Sequence, residues 1–308
     1  DNQYLLISEK PAWDLLNIWS QINSEYAYYS FRKACNLDAH PNKQKFSKWI
    51  RNKKISVKDL FPKLKESEFY KIDLSVGSEW IGGRNEIEDL NLFQFKIDKL
   101  QKKYPKKIIA GGYLEPRAIY TSDTYEKTGN YGAENRTIHL GLDFWLPPET
   151  KVSAMFDGEV VTAVNDEGDK EYGGLVILKH NIEDLEFYTL YGHNTVESVL
   201  KNKIGSKVDK GDVIAEIANY PENGNWAPHL HFQIMLSMLD YRIDYPGVCY
   251  FNQIDVWKDL CPDPNLIFKS KDLDLDLSDS EDELIKYRNS HLGKSLKLHY
   301  EEPLHIVR

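Results

Sequence analysis

Pro228-His229-Leu230-His231-Phe232-Gln233-Ile234 sets two imidazoles one residue apart in an otherwise apolar run. Successive side chains of a strand point to opposite faces, so His229 and His231 project the same way, roughly 6 to 7 Å apart. An imidazole buried without a partner is costly, so two on one apolar strand call for a shared polar surrounding. Outward from this stretch the texture is uniform. From about residue 105 the chain proceeds in short β-prone runs (RAIYTS, KVSAMF, GEVVTAV, GLVILKH, EFYTLYGH, DVIAEIA, HLHFQIM) broken by Gly, Asn, Asp and Pro. That pattern predicts an antiparallel β domain, a sandwich or open barrel-like sheet core built from two packed sheets with the site in a groove on one of them.

Before residue 105 the period changes. Trp13, Leu16, Ile18, Trp19, Ile22, Tyr26, Tyr29 and Phe31 recur at helical spacing over residues 11–37, and further helical stretches follow near 42–54 and 86–104, with a strand over 67–76. The basic residues that close the 86–104 stretch suit a helix C-terminus. After Cys261-Pro262, the acidic tract 271–283 reads as an exposed linker. The expected fold class is therefore α+β: an α-rich N-terminal region over 1–104, an antiparallel β-sheet core over 105–268, and an acidic linker with a C-terminal lead-in segment over 269–308.

Composition narrows the function classes. A net charge of -9 argues against broad nucleic-acid binding, which needs clustered cations for phosphate. Apolar runs such as Leu175–Leu178 fall far short of the roughly 20 residues of a membrane span. Cys35, Cys249 and Cys261 are too few and too scattered for a disulfide scaffold, and read as free thiols. No basic-then-apolar signal stretch opens the sequence.

Three short motifs within the β-rich part carry chemistry: His139-Leu-Gly-Leu-Asp143, Tyr191-Gly-His193 and His229-Leu-His231. His139 and Asp143, four apart with Gly141 between them, can converge. Two His and one Asp match the three protein ligands of a catalytic zinc site, whose fourth position is left to water. Zinc brings the pKa of water toward about 7, and the remaining imidazoles suit proton transfer near neutrality. His180, on the GLVILKH run, reads as structural.

These residues resemble the lysostaphin-type (LytM-like) zinc endopeptidases, whose pattern is HxGxD, YxH, GxxVxxGxxI and HLHF. The chain carries His139-Leu-Gly-Leu-Asp143, Tyr191-Gly-His193, Gly205-Ser-Lys-Val208-Asp-Lys-Gly211-Asp-Val-Ile214 and His229-Leu-His231-Phe232 in that order, over about residues 109–238. The resemblance implies Zn2+ bound by His139, Asp143 and His231, with His193 and His229 flanking the attacking water, and hydrolysis of peptide bonds in peptidoglycan or a related substrate. One departure stands out: Asn219–Pro228 replaces the family's TGxSTGP-like turn. A loop beside a site is where specificity is set, so Asn225 and Trp226, together with Tyr191, are candidates for contacting substrate. The departure also keeps open a non-catalytic or latent zinc-binding module, with Glu134-Asn135 as candidate fourth ligand.

A second resemblance lies in the flanks. YYSFRKACNL (28–37), DLSVGS (73–78), GGYLEPR (111–117), PENGNWAPHLHFQ (221–233), LCPDPNL (260–266) and residues 288–308 look like the central region of large bacterial polypeptides in which a peptidase-like domain lies between a kinase-like and a class III aminotransferase-like domain. That resemblance implies covalently fused partners of those two kinds and a cytoplasmic setting, the alternative being a secreted or cell-envelope one.

Overall fold

Leu175, Val176, Ile177 and Leu178 follow one another in a strand and are all fully buried, so neither face of that strand meets water. Such a run belongs in the middle of a sheet covered on both sides. In the computed structural model, which describes residues 24–274 apart from 66–67, 77, 79, 82–83, 121–124 and 130–131, it lies there. The eight-stranded sheet runs β1 (Glu68–Lys71), β2 (Lys107–Gly111), β5 (Leu142–Trp145), β12 (Leu230–Met235), β9 (Leu185–Asn194), β8 (Gly173–Ile182), β7 (Gly158–Asp166), β10 (Lys207–Val208), with strands numbered in chain order. Every pairing in it is antiparallel except β1 with β2. β6 (Lys151–Ser153) pairs with β11 (Val213–Glu216), and β4 (Gly132–His139) lies between β3 (Glu126–Gly129) and β13 (Val248–Tyr250). The fold is α+β with a large, mostly antiparallel sheet.

Instead of two comparable packed sheets, one large sheet is covered on both faces. On one face Phe144, Val176, Leu178, Tyr191, Phe232 and Ile234 pack with Phe46 and Ile50 of the helix Lys43–Arg51 and Leu60 of the helix Val57–Leu60. On the other, Leu175, Ile177, Leu190 and Met235 meet Ile138 of β4, Tyr29 of the helix Glu25–Ala34 and Trp257 of the helix Ile254–Leu260. Asp259, fully buried, accepts from the Ala39 amide and pairs with Lys33 and Lys43, tying those helices together.

A third cluster covers the β1–β2–β5 end of the sheet. There Phe93, Ile97 and Leu100 of the helix Leu90–Lys103 pack with Ile72, Ile109 and Trp145. The helical period over 86–104 is split at Asp89, whose carboxylate caps the amides of Asn91 and Leu92 and separates Arg84–Glu88 from Leu90–Lys103.

Two sequence expectations differ in detail. Pro116 bridges Ile138 and the Arg117 N–H donates to the Thr137 carbonyl, but the RAIYTS run does not continue as a strand, because Ala118 and Ile119 form a turn. At the C-terminal end, Leu273 of the acidic tract is buried against the core. The helical reading of 11–23 and the segment 275–308 lie outside the described residues.

His180 is enclosed beside Phe156 and Phe187, Nδ1 donating to the Asp157 carbonyl at 2.9 Å and Nε2 lying 2.7 Å from Thr189 Oγ1. Burial pushes its pKa down from 6.5 to about 4. The unfolded chain therefore binds a proton that the native state refuses between pH 6.5 and 4. The stability from a neutral His180 is present above pH 6.5 and is lost as the pH falls toward 4, by about 3 kcal/mol at most. Urea unfolding from pH 7 to 4.5 should show this loss together with that from the other buried histidines, and His180→Gln should make the profile shallower by the His180 share.

Candidate metal centre

The centre is assembled from neighbouring strands. His231 on β12 lies directly across from Asp143 on β5 in one direction and from Gly192 on β9 in the other. β4 delivers His139 just before the chain bends through Leu140-Gly141 into β5. Gly141 permits this bend beside the site: a Cβ there would lie 2.7 Å from the His231 ring.

Hydrogen bonds fix which ring atoms face inward. His139 donates from Nδ1 to the Gly112 carbonyl at 2.9 Å, which leaves Nε2 free, and His231 donates from Nε2 to Gln233 Oε1 at 2.9 Å, which leaves Nδ1 free. Gln233 is itself oriented by donating to the Pro246 carbonyl at 3.2 Å. The two free nitrogens stand 2.9 Å apart, and Asp143 Oδ1 lies 3.3 Å from the first and 3.2 Å from the second. That oxygen is buried without a hydrogen-bond partner. Three electron-pair donors thus converge at full burial with no proton donor assigned to bridge them, an arrangement that a divalent cation satisfies and that water-free packing does not. Among the described residues these three form the one group of His, Cys, Asp or Glu able to hold a metal ion.

Asp143 stays ionised. Burial alone would raise its carboxyl, but the facing His139, charged only in acid, and the permanently charged Arg117 hold it well below the ordinary carboxylate value, and at neutral pH the charge that does so is that of Arg117. Burial, with Arg117 beside it, lowers His139 to about 3, so its ring is neutral and free to ligate.

Sequence reasoning missed Arg117. Its Nη1 donates to Asp143 Oδ2 at 2.6 Å, its Nε to Glu115 Oε2 at 2.7 Å, and Glu115 Oε1 accepts from the Leu74 amide at 2.9 Å. The guanidinium occupies one carboxylate oxygen and leaves the other to the centre. Gly112 makes room for it: at φ +106, a Cβ there would lie 2.0 Å from Nη2 and 3.0 Å from His139 Nδ1. Outer partners of metal ligands contribute about 10- to 100-fold to affinity. Arg117→Met should weaken metal binding by that factor and Arg117→Lys by less, read by competition with a chelating dye.

His193 and His229 complete the cavity, their rings 4.4 Å apart. His193 donates from Nδ1 to the Asn223 carbonyl at 2.9 Å and His229 from Nδ1 to the Ala227 carbonyl at 2.7 Å. Both turn Nε2 inward, and that of His229 is 3.8 Å from Asp143 Oδ1. Burial lowers both below 6.5, and His193 well below it with His229 adding to the effect, so both rings are neutral at pH 7. Simple alternation would put His193 on the same face as Tyr191. It does not, because the β8–β9 register shifts between Gly174 and Val176 and His193 takes a left-handed φ of 68. This bulge turns the imidazole toward the metal side of the sheet.

Residues 137–241 match the sequence model of Peptidase family M23. The matched segment is about a third of the chain and contains all five cavity residues. Arg117, Glu115 and Gly112 precede it. Among solved structures, the catalytic domain of the antimicrobial peptidase lysostaphin from Staphylococcus simulans is similar at 23% identity and a TM-score of 0.29, over 48% of this chain and 91% of that one. A putative peptidase M23 from Pseudomonas aeruginosa is similar at 18% identity and a TM-score of 0.28, over 58% and 62%. Helicobacter pylori Csd3 follows at 24% and 0.26, over 44% and 34%.

Within the matched segment the three candidates for contacting substrate part ways. Trp226 lines the cavity, its ring centroid 5.9 Å from that of His193 and 6.3 Å from that of His229, and its indole N–H donates to the Glu171 carbonyl. Asn225 lies outside the cavity lining, turned at φ 61 to donate to Asp169. Tyr191 points into the core on the far face of the sheet. It is fully buried against Phe232 and its hydroxyl is engaged by Thr189 and the Met155 amide. Glu134 pairs with Lys127 and is not part of the metal-capable group. The loop 219–228 bears on His193 through Asn223: its side chain bonds both the N–H and the carbonyl of Trp226, and its carbonyl holds the imidazole.

Proposed function

We propose that this protein is a zinc-dependent hydrolase of peptide or amide bonds, acting on a peptide or peptidoglycan-like substrate. The observation that carries the reading is the convergence of His139 Nε2, Asp143 Oδ1 and His231 Nδ1, buried and directed at one point beside two neutral imidazoles. The match of residues 137–241 to a peptidase family supports it. Two His and one carboxylate favour zinc, which supplies Lewis acidity to the scissile carbonyl and to the attacking water. The chain's own groups do the rest. Arg117 keeps Asp143 ionised and aimed. His193 and His229, neutral and with Nε2 inward, accept a proton from water as its oxygen adds to the carbonyl carbon, and return one to the departing nitrogen as the C–N bond breaks.

Metal analysis of the purified protein, followed by turnover of zinc-loaded protein on glycyl and D-alanyl peptides, tests the reading. One zinc per chain with measurable hydrolysis is expected. Zinc without turnover on any amide favours the second reading, a non-catalytic or latent zinc-binding module, which the near-complete burial of all five residues supports. The reading extends to a cytoplasmic polypeptide with fused kinase-like and aminotransferase-like domains, supported by the flanking motifs. An endogenous protein of 35.8 kDa, the mass of this chain alone, would count against it.

A further inference from the structure

β13 is an edge strand: β4 pairs with one side of it, and among the described residues no strand pairs with the other. The register fixes which way its backbone points. Val248 lies opposite His139, whose own N–H and C=O are bonded to the Glu115 carbonyl and the Leu114 amide on the other side of β4. In an antiparallel pair that exchanges no hydrogen bonds, N–H and C=O point away from the partner strand. Those of Val248 therefore face outward from the sheet edge. Val248 is only 5% exposed, and among the described residues neither group has a partner. Buried backbone groups are nearly always paired, and an unpaired donor and acceptor on a sheet edge are a template for a further strand.

Beside that edge runs a groove of about 340 Å3, lined by Val248, Cys249 and Tyr250 in succession. Consecutive strand residues point to opposite faces, so a groove that touches all three follows the strand's edge and not one of its faces. The opposite wall is largely apolar: Tyr26, its ring 5.5 Å from that of Trp257, with Leu239 and Tyr241. Neither the three converging donors nor His193 and His229 line this groove, which is distinct from the metal centre. It adjoins the centre all the same. Arg136, Pro246 and Val248 line both the groove and the cavity that reaches His139 and His231. Tyr26, Val248–Tyr250 and Trp257 lie outside the segment that matches the peptidase family.

We propose that this edge and groove form a distal substrate subsite, which takes an extended peptide arm bearing apolar side chains as a strand added to β13. The inference rests on the hydrolase reading for the arm's other end, the scissile amide at the metal centre. A strand added beside β13 stands two interstrand spacings, about 10 Å, from the β4 backbone at His139, so the first paired residue is about three residues from the scissile amide. Main-chain bonds to Val248 give affinity, and the aromatic wall selects alternate side chains. A carboxylate set against Tyr26, Leu239 and Trp257 would lose water without gaining a partner. Continuity with the metal centre favours a substrate arm over a second copy of the chain pairing at the same edge.

The test reads fluorescence anisotropy of dye-labelled hexapeptides on metal-free protein, where no turnover intervenes. The probes are Gly-Val-Gly-Val-Gly-Gly, Gly-Asp-Gly-Asp-Gly-Gly, and the valyl peptide N-methylated at its valines or at its glycines. The valyl peptide should bind at least about tenfold tighter than the aspartyl one. Alternate residues of an added strand face β13, so methylation of one set should weaken binding by about 3- to 10-fold per bond lost, and methylation of the other set by less. Leu239→Asp should weaken the valyl peptide at least about tenfold. Val248→Pro, which deletes the outward N–H and no bond to β4, should weaken it by about 3- to 10-fold, and either variant carries the test should the other fail to fold. On zinc-loaded protein, a valyl arm three residues from a Gly-Gly bond should lower KM relative to a glycyl arm. Equal binding of the valyl and aspartyl peptides, or of the two methylated forms, overturns the strand addition. Protein that binds the arm but, zinc-loaded, cleaves nothing removes the hydrolase reading and the scissile-amide placement, while peptide binding at the edge stands. A concentration-dependent dimer abolished by Leu239→Asp, with no peptide bound, hands the edge to a second copy and overturns the proposal.

Discussion

Asp143→Asn is expected to give folded protein that does not retain added zinc. The wild-type Oδ1 is a buried, unpartnered oxygen 3.3 Å from His139 Nε2 and 3.2 Å from His231 Nδ1, while Oδ2 is taken by Arg117. In the variant the amide oxygen keeps the Arg117 bond, which turns the NH2 toward the two histidines. Its protons then fill the point that a cation would occupy, and the negative charge is gone. A ligand that binds only the native state stabilises it by about 2.7 kcal/mol at 100 times its dissociation constant. Thermal unfolding of the wild type should therefore respond to added zinc, and that of the variant should not. His231→Ala should behave alike by losing a donor outright. Metal analysis after dialysis that finds full occupancy in both variants would remove the ligand assignment.

His193→Ala and His229→Ala separate the chemistry from the metal. Each imidazole is anchored by a carbonyl bond at Nδ1, from Asn223 or Ala227, and neither is among the three converging donors. Zinc content should be unchanged in both. Loss of a positioned acid or base costs about 10²- to 10⁴-fold, so kcat should fall by that factor with little change in KM. A drop in zinc content parallel to the drop in rate would mean that these residues hold the centre together instead of moving protons.

The strand periods show how far spacing alone reaches. The HxH repeat puts His229 and His231 on one face because a strand repeats every two residues, and both line one cavity. HxGxD carries its own bend, since only glycine clears the His231 ring. For Tyr191 and His193 the same rule fails, because a one-residue bulge against β8 reverses the face after Gly192. Bulges depend on the partner strand's register, which local sequence does not encode.

Residue types and their spacing were enough to mark the β-rich half, the helical preamble and five residues that belong near one another, because local period and side-chain chemistry are properties of the chain itself. Only the tertiary structure decided that Arg117, outside the three histidine-bearing motifs, claims one oxygen of Asp143, that Tyr191 belongs to the core, and that Leu74, Ile87 and Phe93 wall the site. Those contacts join segments tens of residues apart through burial and cross-strand pairing, and nothing in the spacing of either segment announces its partner.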